Sequence, residues 1–192
     1  MAVLPIYNCF HPVMMQKTKP VLEINDTIRE LVADMFDTMY NTQRGVGLSA
    51  NQVGKDLSIV VIDVHEVSGY EKEAPIAMIN PNIIAYSQET IILEEGCLSI
   101  PVLFDDVERA ASIKIKYNDI NGKEIERIAE GFLARVMQHE VDHLHGICFY
   151  NRLTPLKRSL ANNKMKKLKK GIYSVDYDMI DPDGSKHEAD EE

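Results

Sequence analysis

The sequence predicts one domain that mixes helices with short strands, followed by an acidic tail. Three observations predict it. Apolar side chains recur at helical spacing over 26–40 (Ile28, Leu31, Val32, Met35, Phe36, Met39) and over a second stretch near 132–144. Between them lie short β-branched runs at 58–64, 76–79, 82–86 and 90–93, and an alternation of Ile113, Ile115 and Tyr117 with Lys114 and Lys116. The length of 192 residues suits a single core, and there is no internal repeat or long Pro/Gly/Ser linker to divide it.

Taken in order, residues 1–24 read as extended, punctuated by Pro5, Pro12 and Pro20. Asn25 or Asp26 can cap the first helix, and Thr27 with Glu30 has the spacing of a capping box. Gly45, Gly47 and Gly54 then mark irregular backbone or close approach by another chain. No strand precedes Gly45 and no Lys-Ser/Thr follows, which argues against a nucleotide cradle. Asn80-Pro81 predicts a break between two strands, and Asn121-Gly122 a hairpin turn into 123–129. Gly131 ends the sheet region and Phe132 opens a strongly apolar helix with Leu133, Val136, Met137, Val141 and Leu144. Thr154 as cap and Pro155 at the first helical position begin a last helix. From Asp176 onward the composition predicts a flexible tail, giving a domain at 1–172 and a tail at 173–192.

The net charge of −9 is uneven. Residues 152–170 carry eight bases and no acid; 176–192 carry eight acids and one base. The overall sign argues against sequence-specific nucleic-acid binding, while the basic block can meet phosphate locally. No apolar run is long enough to span a bilayer, and residues 1–10 lack the basic and apolar regions of a secretory signal. Cys9, Cys97 and Cys148 are odd in number and far apart, which fits free thiols in a reducing cytoplasm.

The chemistry concentrates in His139-Glu140-Val141-Asp142-His143. On a helix, positions four apart share a face, so two imidazoles can hold one metal ion with Glu140 beside them as general base. A helix this apolar is mostly buried, and buried imidazole and carboxylate need partners or a metal. A catalytic ion wants a third protein ligand. His145 points to another side, and Cys148 lies past Gly146, where a departing strand is expected. Cys97, in Glu94-Glu95-Gly96-Cys97-Leu98-Ser99-Ile100-Pro101, is only weakly preferred on these grounds.

Three stretches together resemble the signature motifs of peptide deformylases, in the family's order: residues 45–52 (Gly-Val-Gly-Leu-Ser-Ala-Asn-Gln), 95–99 (Glu-Gly-Cys-Leu-Ser) and 138–146, which carries His139-Glu140-Val141-Asp142-His143. The similarity also touches Met35-Phe36, Thr38-Met39, Asn80-Pro81 and Arg109, covering about residues 3–160. It implies an α+β fold, with short antiparallel sheets around a central metal-binding helix. It implies one divalent ion on Cys97, His139 and His143, with Fe²⁺ the physiological choice and Zn²⁺ or Ni²⁺ able to substitute. It implies hydrolysis of N-formyl-methionyl nascent peptides to formate. In that reading Glu140 carries the proton, and the Gln52 amide and Leu98 N–H face the oxyanion. Gly45, Val46 and Gly47 would lie beside the peptide as an added strand, and Phe132, Val136 and His139 would wall the methionine pocket. Glu95, Arg109 and Asp142 would form an ion network that orients the ligands. Residues 152–170 could touch the ribosome. Ser49 and Asn51 depart from the family's usual Ala and Pro; they are expected to touch no ligand and to leave activity intact.

Overall fold

The computed structural model describes residues 2–42 and 45–190. Strand β1 (Ile6–Tyr7) and a single 3-10 turn lead to helix α1 (Asp26–Asn41), capped by the Asn25 side chain on the Ile28 N–H. Then follow β2 (Gly47–Ser49), a 3-10 turn (Ala50–Val53), β3 (Ile59–Ile62), β4 (Ile76–Tyr86), β5 (Thr90–Cys97), β6 (Ile100–Ala110), β7 (Ser112–Asn118) and β8 (Glu124–Glu130). Helix α2 (Gly131–Leu144), a 3-10 turn (Phe149–Arg152), helix α3 (Pro155–Leu168), β9 (Met179–Ile180) and β10 (Lys186–His187) complete the chain. The architecture is α+β. Five antiparallel strands run in the order β2-β3-β4-β7-β8, β5 pairs with β6, and β1-β9-β10 form a small third sheet in which β1 and β9 are parallel.

Strand β3 shows how the two helices are placed. It is buried on both faces, and alternate side chains go to opposite sides. Ile59 and Val61 join Met35 and Met39 of α1 and Leu48 of β2; Val60 and Ile62 join Met78, Ile115, and Leu133, Met137 and Val141 of α2. Helix α2 therefore lies in the interior, with Leu133 through Leu144 all buried. A third apolar group joins Cys97, Ile100 and Leu103 to Cys148, Phe149 and Met165 of α3. No described helix is long and apolar enough to cross a membrane.

The structure differs from the sequence reading in several places. Asn80-Pro81 does not break the chain into two strands. It sits within β4 as an irregularity in the β7 pairing, with Asn80 at φ 54°. The Asn80 side chain holds the Val21 backbone through two 2.8 Å hydrogen bonds, which supports that conformation. Strand β6 is not evident from the sequence, because Pro101 and a run of acids obscure it. A two-stranded sheet tolerates both, having only edge strands. Cys148 caps a 3-10 turn and is not on a strand. The acidic segment, expected to be flexible from residue 173, folds back through Asp190 as β9 and β10 against β1 (Glu191 and Glu192 lie outside the described residues). Met179 is fully buried there, so apolar anchors at every few positions outweigh the charge between them.

Candidate active site

Helix α2 carries His139, Glu140 and His143 on buried positions, and the β5–β6 reversal brings Cys97 to them. The His143 Nε2 stands 3.1 Å from His139 Nε2 and 3.2 Å from Cys97 Sγ. All three donor atoms lie within 4.8 Å of one another. Tetrahedral ligands at usual zinc or iron bond lengths sit roughly 3.3–3.6 Å apart, so this spacing fits one ion. His139 Nδ1 is tied to Glu95 Oε2 at 2.9 Å, which leaves Nε2 to face its two companions. The set of two imidazole nitrogens and a sulfur suits a divalent transition metal. Among Cys97, Cys148 and His145, the structure brings only Cys97 into the cluster. His145 Nδ1 instead contacts the Val141 carbonyl at 2.9 Å.

Electrostatics concentrate on this cluster. Burial raises the Cys97 thiol well above its ordinary range, so a thiolate here requires a cation beside it. Glu140 is buried, its Oε2 finds no hydrogen-bond partner among the described residues, and burial with the neighbouring Glu95 charge pushes it up to about 8. Glu95 behaves oppositely. Burial opposes its charge, but hydrogen bonds from His139 and Arg109 hold it well below the usual carboxylate range.

The expected ion network is present and larger than the sequence suggested. Arg109 grips Glu95 at 2.6 and 3.0 Å and Asp142 at 2.6 Å. Arg135 adds a 2.7 Å contact to Glu95, and Arg152 holds Asp142 at 2.5 and 3.0 Å. Arg135 and Arg152 escaped sequence reasoning, since a base on an apolar helix or after a turn gives no sign of its partner.

Around the cluster opens a cleft of about 450 Å³. Its lining includes Gly45, Val46, Gly47, Gln52, Leu98, Phe132 and Val136, so every residue expected to bind or orient substrate borders it. Strand β2 is an edge strand, which leaves one side of its backbone unpaired within the sheet. Gly47 of this strand, and Gly45 just before it, are required by close approach. A Cβ at Gly47 would stand 2.7 Å from Glu140 Oε1, and one at Gly45 2.6 Å from Thr42 Oγ1. Gln52 is held with its oxygen against Ser49, accepting from the Ser49 N–H at 2.9 Å and its hydroxyl at 3.0 Å. Its amide nitrogen is thereby turned toward Cys97 Sγ at 3.6 Å and Ser99 Oγ at 3.3 Å.

Ser49 and Asn51 are thus not remote from the site. Asn51 donates to the main-chain carbonyl of His143 at 2.7 Å. Ser174, Val175, Asp176 and Tyr177 also line the cleft, a contribution the sequence did not reveal.

The sequence profile of the family described as Polypeptide deformylase matches residues 3–159. The peptide deformylase of Brucella suis biovar 1 (strain 1330) is 42% identical over 168 residues, spanning 88% of this chain and 94% of that protein. A crystal structure of peptide deformylase from Ehrlichia chaffeensis in complex with actinonin superposes with a TM-score of 0.79 at 43% identity, covering 87% of this chain and 98% of that one. A plant peptide deformylase gives 0.82 at 33% identity, covering 88% and 91%. With the motif residues gathered around one cleft and likeness over nearly the full length of these relatives, the chain belongs to the peptide deformylase family of hydrolases.

Proposed function

We propose that this hydrolase removes the formyl group from N-formyl-methionyl nascent peptides with one Fe²⁺ held by Cys97, His139 and His143, and with Glu140 as the proton carrier. The convergence of three donor atoms beside the buried Glu140 carboxylate supports this reading most strongly. The ion, when bound, supplies Lewis-acid chemistry: it acidifies water and polarises a carbonyl. Glu140, a buried carboxylate in the wall of the same cleft, suits taking a proton from water and delivering it to the departing amine. In this reading the Gln52 amide and the Leu98 N–H donate to the formyl oxygen as charge develops on it, each such donor typically contributing roughly 10²–10³ in rate. Gly45, Val46 and Gly47 offer backbone groups that ignore the peptide's sequence, while Phe132 and Val136 pack the methionine side chain.

A co-translational cytoplasmic role follows from this substrate. The basic stretch 152–170, on whose helix α3 Leu156 and Leu160 are exposed, supports a weak ribosome contact. The decisive experiment strips metal by chelation under anaerobic conditions, restores Fe²⁺, and measures formate released from formyl-Met-Ala-Ser. Activity should vanish and return with one ion per chain. Full activity in metal-free protein would refute the reading.

A further inference from the structure

The segment beyond residue 171 is a built part of the active site, although it lies outside the residues 3–159 that match the family. It is tied down on both sides of Tyr177. The Tyr173 hydroxyl donates to Asp181 at 2.8 Å, the Asn8 side chain reaches the same oxygen at 3.4 Å, and the Ile6 and Asn8 N–H groups donate to Asp178 and Ile180 at 2.9 Å. Val175 and Met179 are buried in the core around α1. Held this way, Tyr177 reaches across 79 positions of sequence and donates its hydroxyl to the Leu98 carbonyl at 2.7 Å.

Leu98 lies in the sharp reversal between β5 and β6, where the pairing shifts after Glu95. The Ser99 end of that reversal is held by the Cys9 N–H on the Ser99 carbonyl at 3.1 Å and by the Gln52 amide on the Ser99 hydroxyl at 3.3 Å. Among the described residues, the Leu98 carbonyl is held only by Tyr177. The N–H and carbonyl of one residue flank the same Cα, so fixing the carbonyl narrows the directions open to the N–H. We infer that Tyr177 is a positioning residue for the reaction: through its bond to the Leu98 carbonyl, the C-terminal strap aims the Leu98 N–H at the formyl oxygen. The inference rests on the donor role given to Leu98 above.

Tyr177→Phe keeps the ring and removes only the hydroxyl. In the metal-loaded, full-length enzyme, kcat for formyl-Met-Ala-Ser should fall about 10-fold, less than the loss of a whole donor, with KM within about twofold and metal content unchanged. In the zinc-loaded form, relaxation dispersion at the Leu98 and Ser99 amides should be flat in the parent and show millisecond exchange in Tyr177→Phe. No new exchange and an unchanged kcat would overturn the role of Tyr177. New exchange with an unchanged kcat would instead remove the donor role of Leu98, and the inference with it. A fall in kcat matched by loss of metal would mean that Tyr177 only supports the fold of the site.

Discussion

Replacing Arg109 by Met should reveal how far the ion network carries the site. Arg109 is 6% exposed and joins Glu95 to Asp142 through three short bonds. Removing one partner from a buried pair typically costs about 3–5 kcal/mol, because the remaining charge has lost both water and its counter-ion. Here Glu95 keeps Arg135 and His139, and Asp142 keeps Arg152, which places the cost near about 3 kcal/mol. For 192 residues the unfolding entropy near the midpoint is roughly 0.4 kcal/mol/K, so the melting temperature should fall by about 7 °C. His139 Nδ1 depends on Glu95 for its orientation, so metal affinity should weaken about 10- to 100-fold. Calorimetry and competitive metal titration measure these separately. Adding Glu95→Gln to Arg109→Met should cost less than the two single changes summed, since with both charges of the pair gone neither loses its partner to the loss of the other. An Arg109→Met protein melting within about 2 °C of the parent, with unchanged metal affinity, would refute the network as a support for the ligands.

Gly47→Ala places a methyl 2.7 Å from Glu140 Oε1 and 2.9 Å from Val136 Cγ1. Glu140 must move, and kcat/KM for formyl-Met-Ala-Ser should drop at least about 30-fold with metal still bound, roughly the loss that misplacement of a catalytic group brings. Stability of the metal-free protein should fall as pH rises. Glu140 has a folded value of about 8 against an ordinary value of 4.5, so between those limits the folded chain binds more protons than the unfolded one. The difference amounts to about 4 kcal/mol by pH 8, and Glu140→Gln should remove that slope in melting temperature against pH. On the acid side the sign reverses. Glu95 and Asp142 are held below their ordinary values, chiefly by His139, Arg109 and Arg152 against the effect of burial. Their stabilisation is complete above about pH 5 and is lost as pH falls further. Urea midpoints that stay level from pH 6 down to pH 3 would contradict this.

The helices and the paired histidines were legible because their signals are local. Asn25 and Thr154 cap where the sequence places them, α2 starts at Gly131, and the i, i+4 histidines share a face. Cys97 needed the resemblance, since nothing near it in sequence says that β5 folds back onto α2. The pairing of β6, the contacts of Arg135 and Arg152, and the return of Tyr177 to Leu98 depend on distant parts of the chain. No window of sequence encodes them. Ser49 and Asn51 are instructive in another way. Read as substitutions away from a pattern, they are expected to leave activity intact. In three dimensions one fixes which way the Gln52 amide points and the other holds the main-chain carbonyl of His143.

The most direct test of the central claim is single-turnover formate release by Glu140→Ala, with metal counted in the same sample. The account predicts one ion per chain, as in the parent, and a rate lower by at least about 10³, since the group that carries the proton is gone. A variant that holds its metal and still deformylates near the parent rate would contradict it.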